Sequence, residues 1–193
     1  MKEFKCLLCG SSCCSFREEA EMPTLFPWEK RRLEKLLENP KFKPHLAYRI
    51  ASNRYAVLLY RWIIEGRCPF LRHDNRCSIH AEKPLACKMY PLIVGIDDNT
   101  LRVSSSCKFV KTHKNSISRR SPEEVFPSEY YSALRVYIAI KLIDEVAALN
   151  GWRKIRIPLS IQGELLDIDE VVEVEPLLDR VEDILAKFSK KNT

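Results

Sequence analysis

The chain has 193 residues, of which 46% are hydrophobic and 30% are charged, and its formal net charge is +6. This composition suits one packed domain, or a domain with an appendage, that needs no cross-links to fold. The positive charge is weak evidence for nucleic acid, because eight cysteine thiolates subtract eight charges and two Zn²⁺ ions return four, which leaves about +2. The five glycines are scattered, which excludes a phosphate-binding loop and a dinucleotide-binding turn.

In chain order, the first predicted element is a short amphipathic helix that begins at Pro27. Proline suits the first helical position, and leucines recur along one side of the residues that follow. Pro40 and Pro44 are expected to end this helix. The segment 54–64 is rich in aromatic and β-branched residues, so it predicts a strand.

A β-hairpin and a long helix are predicted next. Residues 91–94 and 101–105 flank a polar turn, which favours a hairpin. Residues 121–124 form a capping-box signature, and Pro127 marks a second helix start. Apolar residues then recur at intervals of three or four, so we expect a long helix that closes at Gly151.

The C-terminal part adds a short strand at 155–157 and a final amphipathic helix that opens at Pro176. Together these elements predict an α+β fold, with a small cysteine-cluster core and short β-hairpins packed against helices. We expect a cysteine-cluster metal-binding domain over 1–115. A helical C-terminal extension over 116–193 is expected to pack on that first part.

No apolar run of signal-peptide length follows the N-terminal methionine, and charges interrupt the most apolar stretches before the roughly 20 residues that a bilayer requires. We therefore expect a cytoplasmic protein with no membrane partner. Cytoplasmic thiols stay reduced, so a dense cysteine set there indicates metal binding or redox chemistry. In a secreted chain the same eight cysteines could instead form four disulfides.

The predicted metal ligands are the eight cysteines, which fall into two groups: Cys6, Cys9, Cys13 and Cys14, then Cys68, Cys77, Cys87 and Cys107. The two-residue gap after Cys6 suits a tight turn that directs two sulfurs at one ion. Cysteines of the second group adjoin turn formers or strand ends, so the chain can bring them together. Buried core thiols would explain one or two isolated cysteines, but they explain poorly four cysteines within nine residues of a polar loop.

The spacing leaves the identity of the metal open. Zinc and iron–sulfur clusters both accept four thiolates, and the first group matches neither the bacterial ferredoxin run nor a paired zinc ribbon. Adjacent cysteines such as Cys13 and Cys14 rarely direct both sulfurs at one ion, because neighbouring side chains diverge. The chain could therefore hold two four-thiolate sites, or one cluster and additional thiols, with an iron–sulfur cluster or zinc as the cofactor.

Three motifs together resemble the CxxCxxCC cysteine-cluster family of zinc- or iron-chelating domains. They are Cys6-x₂-Cys9-x₃-Cys13-Cys14, then Cys68-Pro69-Phe70-Leu71 with Cys77-x-Ile79, and Lys83-Pro84-x₂-Cys87-x-Met89-Tyr90-Pro91. The resemblance spans about residues 6–107 and implies metal-ligand roles for the cysteines. One branch is similar to flagellin lysine-N-methylase, which implies methyl transfer to protein lysine. The chain departs from the pattern by one extra residue before Cys13 and by Lys83 in place of arginine.

Histidines and a basic segment supply further candidate groups. His73 and His80 flank Cys77 and could replace a thiolate, although exposed loop histidines are expected. Residues 102–120 contain six lysines or arginines and no acid, which suits either an anion-binding surface or a solvated loop. Nucleic acid is disfavoured as a partner, because Phe109 is the only phenylalanine, tyrosine or tryptophan in that segment.

Three functions are compatible with these patterns. The favoured one is an intracellular metal-binding protein whose eight cysteines coordinate an iron–sulfur cluster or zinc, with the question of enzymatic activity left open. The first alternative, implied by the resemblance, is a cluster-dependent protein lysine N-methylase. The second is a zinc-stabilised binding module for protein or nucleic acid. The expected partner is a metal ion or cluster, and a protein partner or substrate stays open.

Overall fold

A computed structural model describes residue 4 and residues 12–96, 98, 100–157 and 163–191. Helices and sheets are mixed along the chain, which confirms the predicted α+β class. The strands are β1 (Thr24–Leu25), β2 (Lys41–Ala51), β3 (Arg54–Ile63), β4 (Leu92–Val94), β5 (Leu101–Val103), β6 (Arg153–Arg156) and β7 (Glu164–Asp167). The helices are α1 (Pro27–Glu34), α2 (Leu85–Met89), α3 (Lys108–Thr112), α4 (Lys114–Ile117), α5 (Pro122–Val125), α6 (Pro127–Leu149) and α7 (Val174–Lys191).

The chain forms two compact units, each discontinuous in sequence. The first unit comprises residues 1–22 and 64–136, and the second comprises residues 23–63 and 137–193. The predicted domains 1–115 and 116–193 stay a prediction. No helix in the described part of the chain combines the length and the apolar character that a membrane span requires.

The second unit is built on a five-stranded sheet in which β3 is central. β2 and β3 form a long antiparallel hairpin, and β6 pairs antiparallel with the other edge of β2. The remaining edge of β3 is shared, because β1 pairs antiparallel with its C-terminal half and β7 pairs parallel with its N-terminal half. Residues 56–60 are consecutively buried, as expected for a strand with neighbours on both edges.

The buried side chain of Tyr48 joins this sheet to α6 within the second unit. Tyr48 is 1% exposed, and its hydroxyl donates a hydrogen bond to Asp144 Oδ1 at 2.6 Å. Lys154 Nζ lies 2.9 Å from the same carboxylate oxygen, so Asp144 is paired with a cation as well. Burial raises the pKa of Tyr48, and its hydrogen bond to the carboxylate raises it further. The hydroxyl therefore stays a donor at physiological pH.

Several predicted elements are confirmed, and their local sequence explains their bounds. α1 begins at Pro27, and β3 covers most of the predicted strand 54–64. The hairpin is present as β4 and β5. The Ser121 side chain accepts a hydrogen bond from the Glu124 N–H at 3.3 Å, which caps α5.

The prediction that Pro40 and Pro44 end the first helix is wrong. α1 ends at Glu34, well before Pro40, and Pro44 lies inside β2, where the sequence analysis predicted only a helix stop. Pairing with β3 shifts register between Pro44 and Leu46, and a proline is tolerated at such an irregularity because no regular ladder N–H is lost there. The last helix begins at Val174, two residues before the predicted start, because a proline in the first turn removes an N–H that has no helical acceptor.

Candidate metal centre

Cys14 and Cys68 lie opposite each other on two short antiparallel segments of the first unit. The Cys68 N–H donates to the Cys14 carbonyl at 2.8 Å, and the Phe16 N–H donates to the Gly66 carbonyl at 2.7 Å. The residues between these pairs form an isolated antiparallel bridge. Gly66 has a φ of 78°, a conformation that glycine adopts without strain, at the point where the chain leaves β3. Two cysteines 54 positions apart are therefore cross-strand neighbours.

The segment from Cys68 to Leu71 is a tight turn that directs backbone N–H groups at a sulfur. The Leu71 N–H donates to the Cys68 carbonyl at 3.0 Å, and Pro69 occupies the second position, which its fixed φ favours. The N–H groups of Phe70 and Leu71 also donate to the Cys68 sulfur. Such donors stabilise a thiolate and are typical of cysteines that ligate metal.

A hairpin returns Cys77 to the same turn. Cys77 forms an antiparallel bridge with Leu71, and the Ser78 N–H donates to the Phe70 carbonyl at 2.8 Å. Asn75, with a φ of 62°, reverses the chain, since asparagine tolerates the left-handed region. The Cys77 sulfur accepts a hydrogen bond from the Ile79 N–H. Cys68 and Cys77 thus share the same kind of environment.

The thiols of Cys14, Cys68 and Cys77 are close enough to influence one another electrostatically. Burial raises the pKa of Cys68 to about 11, and the thiols of Cys14 and Cys77 raise it as well, against the two N–H donors. Three sulfurs that resist joint ionisation are a suitable setting for a cation, because a bound cation reverses the repulsion between thiolates.

Cys77 also responds to nearby positive charge. Burial raises its pKa, and the Cys14 thiol acts in the same direction. The Ile79 N–H, Lys83 and Arg72 lower the pKa, because each favours the thiolate. The site therefore combines sulfur atoms with two cations that can offset the excess negative charge of a metal–thiolate group.

The other predicted ligands are Cys6, Cys9, Cys13, Cys87 and Cys107. Cys6 and Cys9 are outside the described residues, and Cys13 shares the short 3₁₀ helix Ser12–Cys14 with Cys14. Cys87 is half-buried in α2, and Cys107 is 4% exposed at the N-terminus of α3. Over the described ranges, no three side chains of the types His, Cys, Asp and Glu are grouped so that they could hold a metal ion, and this includes the thiols of Cys14, Cys68 and Cys77. That Cys87 and Cys107 join the other thiols stays a prediction.

The histidines near Cys77 are exposed, His73 in the hairpin turn and His80 at the start of the 3₁₀ helix His80–Glu82. Burial and the charge of Lys83 lower the pKa of His80. Sequence analysis did not identify the N–H donors of Phe70, Leu71 and Ile79. The sequence signal for the donors near Cys68 is the proline that follows it, because a proline there indicates a turn that directs the next backbone amides back toward the cysteine.

A basic surface lies on α3, α4 and the residues that follow. It consists of Lys108, Lys111, Lys114 and Arg119, all of which are exposed. No ion pair to these four side chains is formed by any residue that the structure describes. The two other cations of the segment are paired, Arg102 with Asp98 and Arg120 with Glu124.

The donor chemistry of the centre fits a thiophilic metal. Sulfur ligands favour zinc and iron–sulfur clusters over magnesium or calcium, which prefer oxygen. Backbone N–H donors at Cys68 and Cys77 and the neighbouring cations suit thiolates held at such a group. The sequence and the fold together define a cysteine-rich α+β protein.

The chain belongs to the CxxCxxCC family, described as "Putative zinc- or iron-chelating domain", whose family model matches residues 5–118. The match covers more than half of the chain and includes all eight cysteines, which confirms the resemblance drawn from the motifs. Comparison with curated proteins and with solved structures gives no significant match. Membership of this family supports binding of zinc or iron.

Proposed function

We propose that this protein binds metal through cysteine thiolates, as zinc or as an iron–sulfur cluster, in the reducing environment of the cytoplasm. The observation on which the proposal rests is the proximity of the Cys14, Cys68 and Cys77 thiols, with backbone N–H donors at the last two. Family membership supports the same chemistry independently. In this proposal the remaining cysteines complete the ligands: Cys6, Cys9, Cys13, Cys87 and Cys107.

The bound group defines two versions of this function. Zinc would hold distant chain segments together, whereas an iron–sulfur cluster would additionally exchange electrons. The residues of this chain have the same task in either version. Phe70, Leu71 and Ile79 donate hydrogen bonds to sulfur, and Arg72 and Lys83 offset thiolate charge.

Elemental analysis of the full chain, purified without oxygen, tests the proposal. We expect either a colourless protein with near-stoichiometric zinc, or a brown protein with iron, acid-labile sulfide and broad visible absorbance. The first result would assign zinc, and the second would assign an iron–sulfur cluster. Protein that is folded and contains neither metal, even after anaerobic incubation with both, would contradict metal binding.

A second candidate function is a binding module that zinc stabilises, and the basic surface favours it. Lys108, Lys111 and Lys114 recur at intervals of three along α3 and α4, and all three are exposed. Phe109 stacks on His113 at 4.4 Å and is therefore not available as a platform for a base. An acidic protein surface is the partner that these charges suit.

Titration with an acidic peptide and with single-stranded nucleic acid tests the binding module. We expect the peptide to bind at low salt and to dissociate as salt rises, because screening weakens exposed ion pairs. Lys111→Glu should weaken this binding, whereas Lys187→Glu on α7 is the control for a loss of total positive charge. Absence of peptide binding at low salt would reject this candidate. Tighter binding of nucleic acid than of the peptide would identify nucleic acid, and not an acidic protein, as the partner.

The lysine N-methylase implied by the resemblance stays a prediction. Methyl transfer would require a cofactor and a lysine-bearing substrate, and binding of S-adenosylmethionine by the full chain is its first requirement.

A further inference from the structure

The backbones of Cys14 and Cys68 are paired at a separation that suits a disulfide. The Cys68 N–H donates to the Cys14 carbonyl at 2.8 Å, and the adjacent residues Ser15 and Arg67 form an antiparallel bridge. Opposed residues in antiparallel pairs have Cα atoms about 4.5–5.5 Å apart. A disulfide joins Cα atoms that lie about 4.4–6.8 Å apart. The backbone of this pair therefore already meets the distance requirement for a disulfide.

Backbone pairing distinguishes Cys14 from Cys77 as the partner of Cys68. The thiols of Cys14 and Cys77 both contribute to the raised pKa of Cys68, as expected for neighbouring side chains. Cys77, however, lies opposite Leu71 in its hairpin, whereas Cys14 lies opposite Cys68 itself. Cys14 and Cys68 are both half-buried, so a small oxidant can reach their sulfur atoms from solvent.

We propose that Cys14 and Cys68 form a disulfide when the metal-free chain meets a peroxide, and that this bond prevents metal binding until a dithiol reduces it. The inference rests on the proposed function and deepens it, because the same two sulfurs are metal ligands in that function. Cysteine binds metal as the thiolate, and a sulfur in a disulfide is no longer a thiolate. Metal binding and the disulfide are therefore alternative states of one pair.

Hydrogen peroxide supplies the oxidising equivalents for this bond. One thiolate attacks a peroxide oxygen, which gives a sulfenic acid and releases hydroxide. The second thiolate attacks the sulfenic sulfur, so the S–S bond forms and a second hydroxide leaves. The two thiol protons convert both hydroxides to water, and in sum two thiols and one peroxide give one disulfide and two waters. A dithiol reverses the change by exchange, since it becomes a disulfide and returns two protons to the cysteines.

Peptide mapping of the full chain tests the pairing. The metal-free, reduced chain is treated with an equimolar amount of hydrogen peroxide, its remaining thiols are blocked, and it is digested with trypsin. Mass spectrometry should find fragment 68–72 joined to the fragment that ends at Arg17, and dithiothreitol should separate them. Cys14→Ser should abolish this link over the same reaction time.

Matched variants assign the link to Cys14. Cys13→Ser makes the same substitution one position away in the same tryptic fragment, and it should form the link to the wild-type extent. Cys77→Ser, which removes the third thiol of the group, should do so as well. Circular dichroism of each variant establishes that the fold is retained.

Zinc tests the opposition between metal and disulfide. At a free zinc concentration ten times the dissociation constant, about one tenth of the chain is metal-free, so the link should form about tenfold more slowly. The oxidised chain should bind no zinc, and binding should return once the bond is reduced with dithiothreitol and the dithiothreitol is removed.

The outcomes distinguish this inference from the proposed function. A wild-type chain that forms the link but binds neither zinc nor iron would support the disulfide and overturn the proposed function. A chain that binds zinc but shows no link after peroxide treatment would overturn the inference alone. A link that forms equally fast in Cys14→Ser, or an oxidised chain that binds zinc as tightly as the reduced chain, would overturn it too.

Discussion

Substitution of Cys68 by serine is expected to weaken metal binding by at least about 100-fold, because a ligand is lost and not only a supporting residue, whose removal costs about 10–100-fold. The thiols of Cys14 and Cys77 both act on Cys68 electrostatically. It also accepts hydrogen bonds from two backbone N–H groups. Competition with a chromophoric chelator measures the affinity for zinc, and visible absorbance measures retention of an iron–sulfur cluster.

The matched control for Cys68→Ser is Ser78→Ala in the same hairpin. Ser78 is exposed, and its backbone N–H donates to the Phe70 carbonyl whatever its side chain, so the hairpin is preserved. We expect this control to bind metal like the wild type. If Cys68→Ser keeps wild-type affinity while its circular dichroism is unchanged, Cys68 is not a ligand, and the centre has been assigned incorrectly.

Removal of the bound metal is expected to destabilise the protein by about 4 kcal/mol at a free metal concentration 1,000 times the dissociation constant. This follows because metal binds the folded thiol cluster and not, to the same extent, the unfolded chain. For a chain of this size, each kcal/mol shifts the melting temperature by about 2–4 °C, so a decrease of about 8–16 °C is expected. Calorimetry of the metal-loaded and metal-free forms measures it.

Cys68→Ser provides the internal reference for this experiment. The variant should melt at the temperature of the metal-free wild type, and addition of metal should leave that temperature unchanged. Equal melting temperatures for the loaded and metal-free wild type would show that the metal does not contribute to folding stability. A melting temperature of the variant that rises with metal as in the wild type would remove Cys68 from the ligands.

Elements with strong local signals could be predicted from the sequence. Pro27 and Ser121 mark helix starts through interactions confined to one turn, and the predicted strand 54–64 was dense in residues that suit a buried sheet. β2 was missed because Pro44 reads locally as a break. Its irregular pairing depends on β3, a partner whose register no local pattern specifies. β7 was missed for a similar reason, since its parallel pairing joins residues that are distant in sequence.

The candidate site, like the fold, could be predicted only in part from the sequence. Composition and spacing make the cysteines the candidate ligands, because thiolates are side chains that thiophilic metals favour. The pairing of Cys14 with Cys68 could not be predicted, since it depends on backbone hydrogen bonds between segments that lie more than 50 residues apart. The N–H donors to sulfur belong to main-chain geometry, which residue identity alone does not determine, although Pro69 favours the turn that creates them.

The shared edge of β3 has a consequence for synthesis on the ribosome. Arg54 of β3 pairs with Glu164 of β7 across 110 positions, with 2.6 Å between guanidinium Nε and carboxylate Oε2. At translation rates of about 5–20 residues per second, the strand therefore waits roughly 5–20 s for this partner. An unpaired strand edge is a template for association with other nascent chains. All eight cysteines are made by residue 107, so we expect that a nascent chain can acquire its thiol ligands before its sheet is closed.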